Sequence, residues 1–180
     1  MLLLSASGCS SLHGLKGTEG KDYVTGSGVP QEIAPADRGA PVDFSGKDLD
    51  GKPLSLLPLR GKPTVISVWW SDCPPCRQEA PMLVGAHRQF GARVNFVGIN
   101  VRDSGTAAPK TFQHQFGIDW PSFYQPGGQA LLAFPGNLSA GSIPATLVLD
   151  AQGRVAARII GPLPSQLTLV QIVRDVIKSG

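Results

Sequence analysis

Charge is scarce in this chain. Charged residues make up 16% of its 180 positions, and the formal net charge is +3. The lysines and arginines are dispersed, so the basic patch that tracks a nucleic-acid backbone is absent and nucleic acid is excluded as a partner. Long apolar runs are missing too: none approaches the roughly 20 residues that span a bilayer. Only three histidines and three cysteines are present. Three cysteines cannot staple a small scaffold. A chain of this length buries roughly 70% of its unfolded surface in its own core and needs no staple. The cysteines therefore require a chemical reason rather than a structural one. At 42% hydrophobic the chain is too apolar for intrinsic disorder, and its length favours one domain. What it has in quantity is glycine, at 22, and proline, at 16. That composition predicts many turns and at least one irregular segment.

The first residues, Met1-Leu2-Leu3-Leu4-Ser5-Ala6-Ser7-Gly8-Cys9, are an apolar stub running into small residues and a single cysteine. They resemble the end of a bacterial lipoprotein signal, in which the small residues fit a signal peptidase and the cysteine takes lipid. That reading makes 1–8 a signal remnant and Cys9 the lipidated first residue of the mature chain. A secretory signal has a charged start and a longer apolar stretch, so the expected start lies upstream. From Cys9 to Gly39 the composition is Gly, Ser, Lys, Pro and acid without periodic apolar residues. This predicts a flexible tether over 9–39, reaching roughly 30 Å root-mean-square, and a folded domain over 40–180.

Within the domain, 43–54 reads as a hairpin around Asp50-Gly51. The run Thr64–Trp70 is β-branched and aromatic, as suits a strand buried on both faces. Residues 77–90 read as a helix with Pro81 inside it, 93–101 as a second buried strand, and 106–116 as a helix closed by Gly117. Gly127–Phe134 is a short helix candidate. Residues 145–150 and 154–160 flank Ala151-Gln152-Gly153 as an antiparallel hairpin, and a last helix begins near Pro164 with Leu167, Val170, Val173 and Ile177 on one stripe. The order predicts an α/β fold with a mixed sheet.

Cys73-Pro74-Pro75-Cys76 follows the first buried strand. Residues three apart on a helix lie about 5–6 Å apart on one face, close enough to join as a disulfide. A helix N-terminus offers free N–H groups and a partial positive charge, which stabilise a thiolate on Cys73. Prolines fit the first turn, where their missing N–H groups are not needed. This makes Cys73 the exposed attacking thiol and Cys76 the resolving thiol. Zinc would need two more ligands, and the histidines offer no paired spacing. A peroxide-reducing cysteine would usually have Thr at the place of Trp70. A structural disulfide closing so short a loop stabilises least. Redox exchange is the better reading, and it needs no metal or organic cofactor because the sulfurs do the chemistry.

These residues, together with Asp48-Leu49-Asp50-Gly51-Lys52-Pro53, Gly61-Lys62-Pro63, Pro81 and Ile143-Pro144-Ala145-Thr146, resemble the TlpA/ResA-like thiol–disulfide oxidoreductases of the thioredoxin superfamily. The resemblance covers most of 41–180. It implies a thioredoxin-like mixed sheet flanked by helices, with an N-terminal hairpin and an insertion between the second core strand and the Ile143-Pro144 loop. It also implies dithiol exchange with protein thiols and disulfides, a protein that resets the couple, and action in cytochrome c maturation or disulfide handling. The domain would act as a monomer on the outer face of the bacterial cytoplasmic membrane, held there by lipid on Cys9. By the same resemblance Pro144 is cis and faces the cysteines, and the Ile143 backbone pairs with a partner segment as in strand addition.

Two acids follow from the comparison with that family. Relatives carry a Glu near the place of Asp103, where it tunes thiol protonation, so Asp103 is a candidate for that role or a helix N-cap. Relatives have an aromatic residue where this chain has Asp72. A carboxylate there opposes thiolate formation on Cys73 and makes the couple more reducing; otherwise the side chain points to solvent with little effect. A reading from another class stays open: a thioredoxin-fold lipoprotein that binds a partner without chemistry, its cysteines permanently joined.

Overall fold

The computed structural model describes residues 27–134, 138 and 141–180. A six-stranded sheet forms the centre, in the order β1 (Pro30–Glu32), β8 (Val155–Ile160), β7 (Ala145–Leu149), β4 (Thr64–Trp69), β5 (Asn95–Asn100), β6 (Ser122–Tyr124). Strands β4, β5 and β6 run parallel, joined through α1 (Pro74–Phe90) and α2 (Ala107–Phe116). The hairpin β7–β8 is antiparallel and pairs with β4 through β7. A separate hairpin, β2 (Ser45–Lys47) and β3 (Pro53–Ser55), lies between β1 and β4 in the chain. The chain ends in α3 (Gln166–Lys178).

Alternation along the strands sends side chains to two faces. Ile66, Val68, Val97, Ile99, Ala145 and Leu147 join the cysteines and Phe112 of α2 in one buried cluster. Val65, Phe96, Val148 and Ile159 meet Leu83 and Phe90 of α1 and Leu169 and Val173 of α3 in the other. Gly98 of β5 has to be glycine, because a Cβ there would run into Ser122 Oγ of the neighbouring strand and the Trp69 indole.

Three expectations need correction. The segment 9–39 is not all tether: 1–26 lie outside the described residues, but β1 sits at 30–32 on the sheet edge against β8. The Ile33 and Val42 amides donate to Ala156 O and Gly153 O, and Arg38 reaches the buried Asp150 carboxylate at 3.2 Å. This arm is held by backbone bonds and one guanidinium rather than by an apolar stripe. The expected insertion between β5 and Pro144 is present, and it carries α2 and the edge strand β6. In α3 the buried residues are Leu169, Val170, Ile172, Val173 and Val176, while Leu167 and Ile177 are exposed. Leu167 lies almost half a turn from the buried face and Ile177 is in the last turn. The short helix expected at 127–134 is a 3-10 turn, Gln129–Ala133.

Candidate functional site

Where β4 ends, the Cys73 amide donates to Trp70 O and α1 begins. Cys73 is the N-cap of that 17-residue helix and Pro74 and Pro75 form its first turn. Cys73 and Cys76 are joined as a disulfide with Cα atoms 5.2 Å apart. The Cys76 amide donates to Cys73 Sγ at 3.2 Å. The sulfur of residue 73 thus occupies the place a capping oxygen usually takes, where the helix dipole favours negative charge. Pro81 contributes no N–H to the helix ladder, so the Arg77 carbonyl goes without its usual partner, and the helix nonetheless runs unbroken to Phe90.

The expected exposure of Cys73 is not found. Cys73 is 0% exposed and Cys76 2%, in a continuous apolar cluster with Leu131, Phe134, Leu138 and Ile143. The physical reason is that two sulfurs bonded to each other form an apolar group, with no charge that water must reach. Pro74 and Asp72, on either side of Cys73, are exposed and Trp70 is half-buried, so the rim of the site is open while the sulfurs are covered.

The Ile143–Pro144 bond is cis. Ala145 stands opposite Val68 in the β7–β4 register, so one residue further Pro144 comes opposite Trp69, at the end of the sheet that carries the cysteines. Gly161 N donates to Pro144 O at 2.9 Å. Ile143 is fully buried, backbone included, and Pro144 is buried beside it, so this loop is covered together with the sulfurs.

Asp103 is buried beneath the loop that leads into the cysteines. Its carboxylate accepts from the Ser71 amide at 2.9 Å, from the Ser71 hydroxyl and from Asn100 Nδ2 at 2.7 Å. The Tyr124 hydroxyl donates to the Asp103 carbonyl at 3.1 Å. The N-cap of α2 is Thr106, not Asp103. Arg77 completes the clamp: Nη1 donates to Ser71 O, Nη2 to Gln115, and the guanidinium lies over Phe112 and Phe116 of α2. Trp69 stacks on Phe112 with ring centroids 4.5 Å apart. Cys9 lies outside the described residues.

Two residues of this region escaped the sequence reading. Glu79 is one turn beyond Cys76 on the same side of α1 and is only 2% exposed. Its Oε2 accepts from the Leu163 amide at 3.1 Å, while Oε1 has no partner. Burial raises its pKa to about 8, against the opposing effect of the Leu163 amide. The available signal was an acid at helical spacing inside the apolar run Cys76, Ala80, Leu83. The second is Arg102. It has φ 66°, the single non-glycine residue with positive φ among the described residues, a conformation that costs an L-residue about 1–2 kcal/mol. No pattern of residues announces such a backbone angle. Among the described residues no group of three or more His, Cys, Asp or Glu is placed to hold a metal ion.

A family model described as the AhpC/TSA family matches residues 37–158. The chain is 27% identical over 148 residues to the thiol-disulfide oxidoreductase ResA of Bacillus thuringiensis, covering 82% of each chain. It is 30% identical over 138 residues to the thiol:disulfide interchange protein DsbE of Allochromatium vinosum, covering 76% of this chain and 72% of that one. The solved structure of a secreted thiol-disulfide isomerase from Corynebacterium glutamicum matches with a TM-score of 0.77 at 26% identity, over 90% of this chain and 95% of that one. The chain therefore belongs to the AhpC/TSA family of the thioredoxin superfamily, as a thiol–disulfide oxidoreductase of the ResA and DsbE type.

Proposed function

We propose that this chain passes electron pairs between protein partners outside the cytoplasm through Cys73 and Cys76, in the direction of a reductase in cytochrome c maturation or disulfide handling. In the reduced protein the Cys73 thiolate attacks one sulfur of a partner disulfide. The Cys73–partner bond forms as the partner's own S–S bond breaks, and one partner thiolate leaves. Cys76, deprotonated, then attacks Cys73 Sγ and releases the second partner thiol. The partner gains two electrons and the Cys73–Cys76 disulfide is restored. A second protein dithiol reverses these steps and resets the couple.

The observation that carries this reading is Cys73 at the cap of α1, with its Sγ accepting the Cys76 amide. That N–H and the helix dipole lower the cost of the thiolate that has to leave or attack. Glu79, one turn along the same helix, is the buried group whose pKa suits it to exchange a proton with a buried thiol near neutral pH. The Ile143–Pro144 backbone, which has to be uncovered together with the sulfurs, serves as the edge to which a partner segment adds. Asp72 and Asp103 adjust the couple, one by charge beside Cys73 and the other by fixing the loop at Ser71.

The secreted relative supports placement outside the cytoplasm, and the small-residue run ending at Cys9 supports a lipid tether there. No helix among the described residues is long and apolar enough to cross a membrane. Burial of both sulfurs favours a second reading, a partner-binding protein with a permanent disulfide. Redox cycling of the unmodified pair distinguishes the two. Cys73–Cys76 is expected to be reduced by dithiols and re-formed by disulfide-bearing proteins in the folded chain, whereas a permanent disulfide stays oxidised until the protein unfolds.

A further inference from the structure

Among the described residues, two hydrogen-bond donors at the rim of the disulfide have no acceptor. Arg102 Cζ lies 5.7 Å from the Trp70 ring centroid, so the guanidinium covers the indole. Arg102 Nη1 and Trp70 Nε1 are both buried and both unpartnered. Buried donors are nearly always satisfied in folded proteins, and exceptions need a reason. Arg102 also holds its left-handed backbone without being glycine. Backbone of that kind persists at functional positions when surrounding structure fixes it. Here the Arg102 amide is tied to Pro126 O at 3.1 Å, and Val101 N to Trp69 O at 3.0 Å.

Charge around the pair is equally one-sided. Asp103 follows Arg102 directly, yet its carboxylate is taken by Ser71 and Asn100. No carboxylate lies within ion-pair distance of Arg102 among the described residues. Both side chains are half-exposed as a whole. The position is adjacent to the chemistry, because Trp70 O accepts the Cys73 amide. A polypeptide reaching this rim therefore meets a cation with no carboxylate beside it and two buried donors from which nothing among the described residues accepts.

We infer that Trp70 and Arg102 form a recognition subsite beside Cys73 for a carboxylate-bearing segment of the partner polypeptide. A carboxylate supplies the charge and the paired acceptor oxygens that a guanidinium edge and an indole N–H can use together. A small rotation of the Arg102 side chain on the indole face presents its buried N–H to such a group. The subsite thus selects an Asp or Glu near the partner's reacting cysteine. This inference rests on the exchange function proposed above and adds a specificity to it.

The test uses the oxidised full chain and three synthetic thiol peptides differing only in the residues flanking their cysteine: Glu, Gln or Lys. The readout is the second-order rate constant for reduction of Cys73–Cys76. The unmodified protein is expected to react with the Glu peptide about ten-fold faster than with the Gln peptide and slowest with the Lys peptide, the differences shrinking as salt rises. Arg102→Gly suits the positive φ, and Arg102→Asn also tolerates it. Both are expected to bring the Glu-to-Gln ratio close to one while changing the Gln rate less than two-fold. An unchanged ratio in both variants overturns the inference, and so does an equal slowing with all three peptides, which would mark Arg102 as structural or as acting on the sulfurs. If the unmodified protein reacts with none of the peptides nor with dithiothreitol, the exchange function itself fails and the subsite with it.

Discussion

Asp103 holds Ser71 by both its amide and its hydroxyl, two residues before the cysteine that caps α1. The carboxylate also takes the Asn100 side chain, so the ends of β4 and β5 are pinned to one buried acid. Replacement by asparagine leaves one acceptor oxygen where the carboxylate uses two, so the charge-assisted bonds to Ser71 and Asn100 weaken and the Ser71 hydroxyl loses its acceptor. Asp103→Asn is expected to lower stability by about 1–3 kcal/mol and to slow thiol exchange by loosening the loop that aims Cys73. Denaturant midpoints and exchange rates of oxidised and reduced protein check this, and unchanged values in both would remove the role.

Glu79 sets a pH dependence. Its pKa is about 8 in the folded protein against 4.5 ordinarily. Below 4.5 both folded and unfolded chains hold the proton, and the contribution to stability is complete. Between 4.5 and about 8 the unfolded chain releases the proton and the folded one keeps it. Stability then falls with rising pH, by up to about 1.4 kcal/mol per unit. Glu79→Gln, which mimics the protonated acid, is expected to flatten this fall and to be more stable than the unmodified protein at pH 9. Urea unfolding of the oxidised protein across pH 5–9 measures it; parallel profiles for the two proteins would contradict it.

Arg38 fastens the N-terminal arm. It pairs with the fully buried Asp150 at 3.2 Å, donates to Ser179 Oγ at 2.7 Å and to Ile33 O at 3.2 Å. Arg38→Met is expected to destabilise the protein by about 2–4 kcal/mol, because a buried carboxylate loses one of its cations. Arg154, 2.8 Å from the same carboxylate, keeps the loss below that of a fully orphaned charge. Amide exchange should quicken first at Gln31 and Ile33. Uniform quickening across the sheet would argue against a local fastening.

Asp72 is exposed directly before Cys73. Solvent screens a carboxylate there, so its effect on the couple is small. Asp72→Asn is expected to raise the reduction potential by roughly 10–20 mV, measurable by equilibration against glutathione. No shift, or a lower potential, would reject an electrostatic role.

The residues that carry chemistry and turns were readable from the sequence. Cys73-Pro74-Pro75-Cys76 announced a capped helix, Asp50-Gly51 its hairpin, and Ile143-Pro144 a cis bond through family resemblance. What was not readable depends on partners distant in the chain. Strand β1, Pro30-Gln31-Glu32, has no apolar alternation and exists because β8 offers it an open edge. Trp120, Phe123 and Phe134 are buried in the core and Tyr124 is half-buried, while His87 lies half-buried between Phe96 and Trp120. The cover over Cys73 is a tertiary property that spacing along the chain does not encode. Arg102 is illegible for the same reason, since its backbone angle is fixed by the bonds around it.

The most direct test is an equilibrium titration of the Cys73–Cys76 pair in the full chain against glutathione and dithiothreitol buffers, with the two states separated by alkylation. A two-electron transition is expected at a potential that dithiothreitol reaches readily in folded protein, reversible on re-oxidation and abolished in Cys76→Ser. A pair that stays oxidised in every buffer until the protein is unfolded would contradict the account.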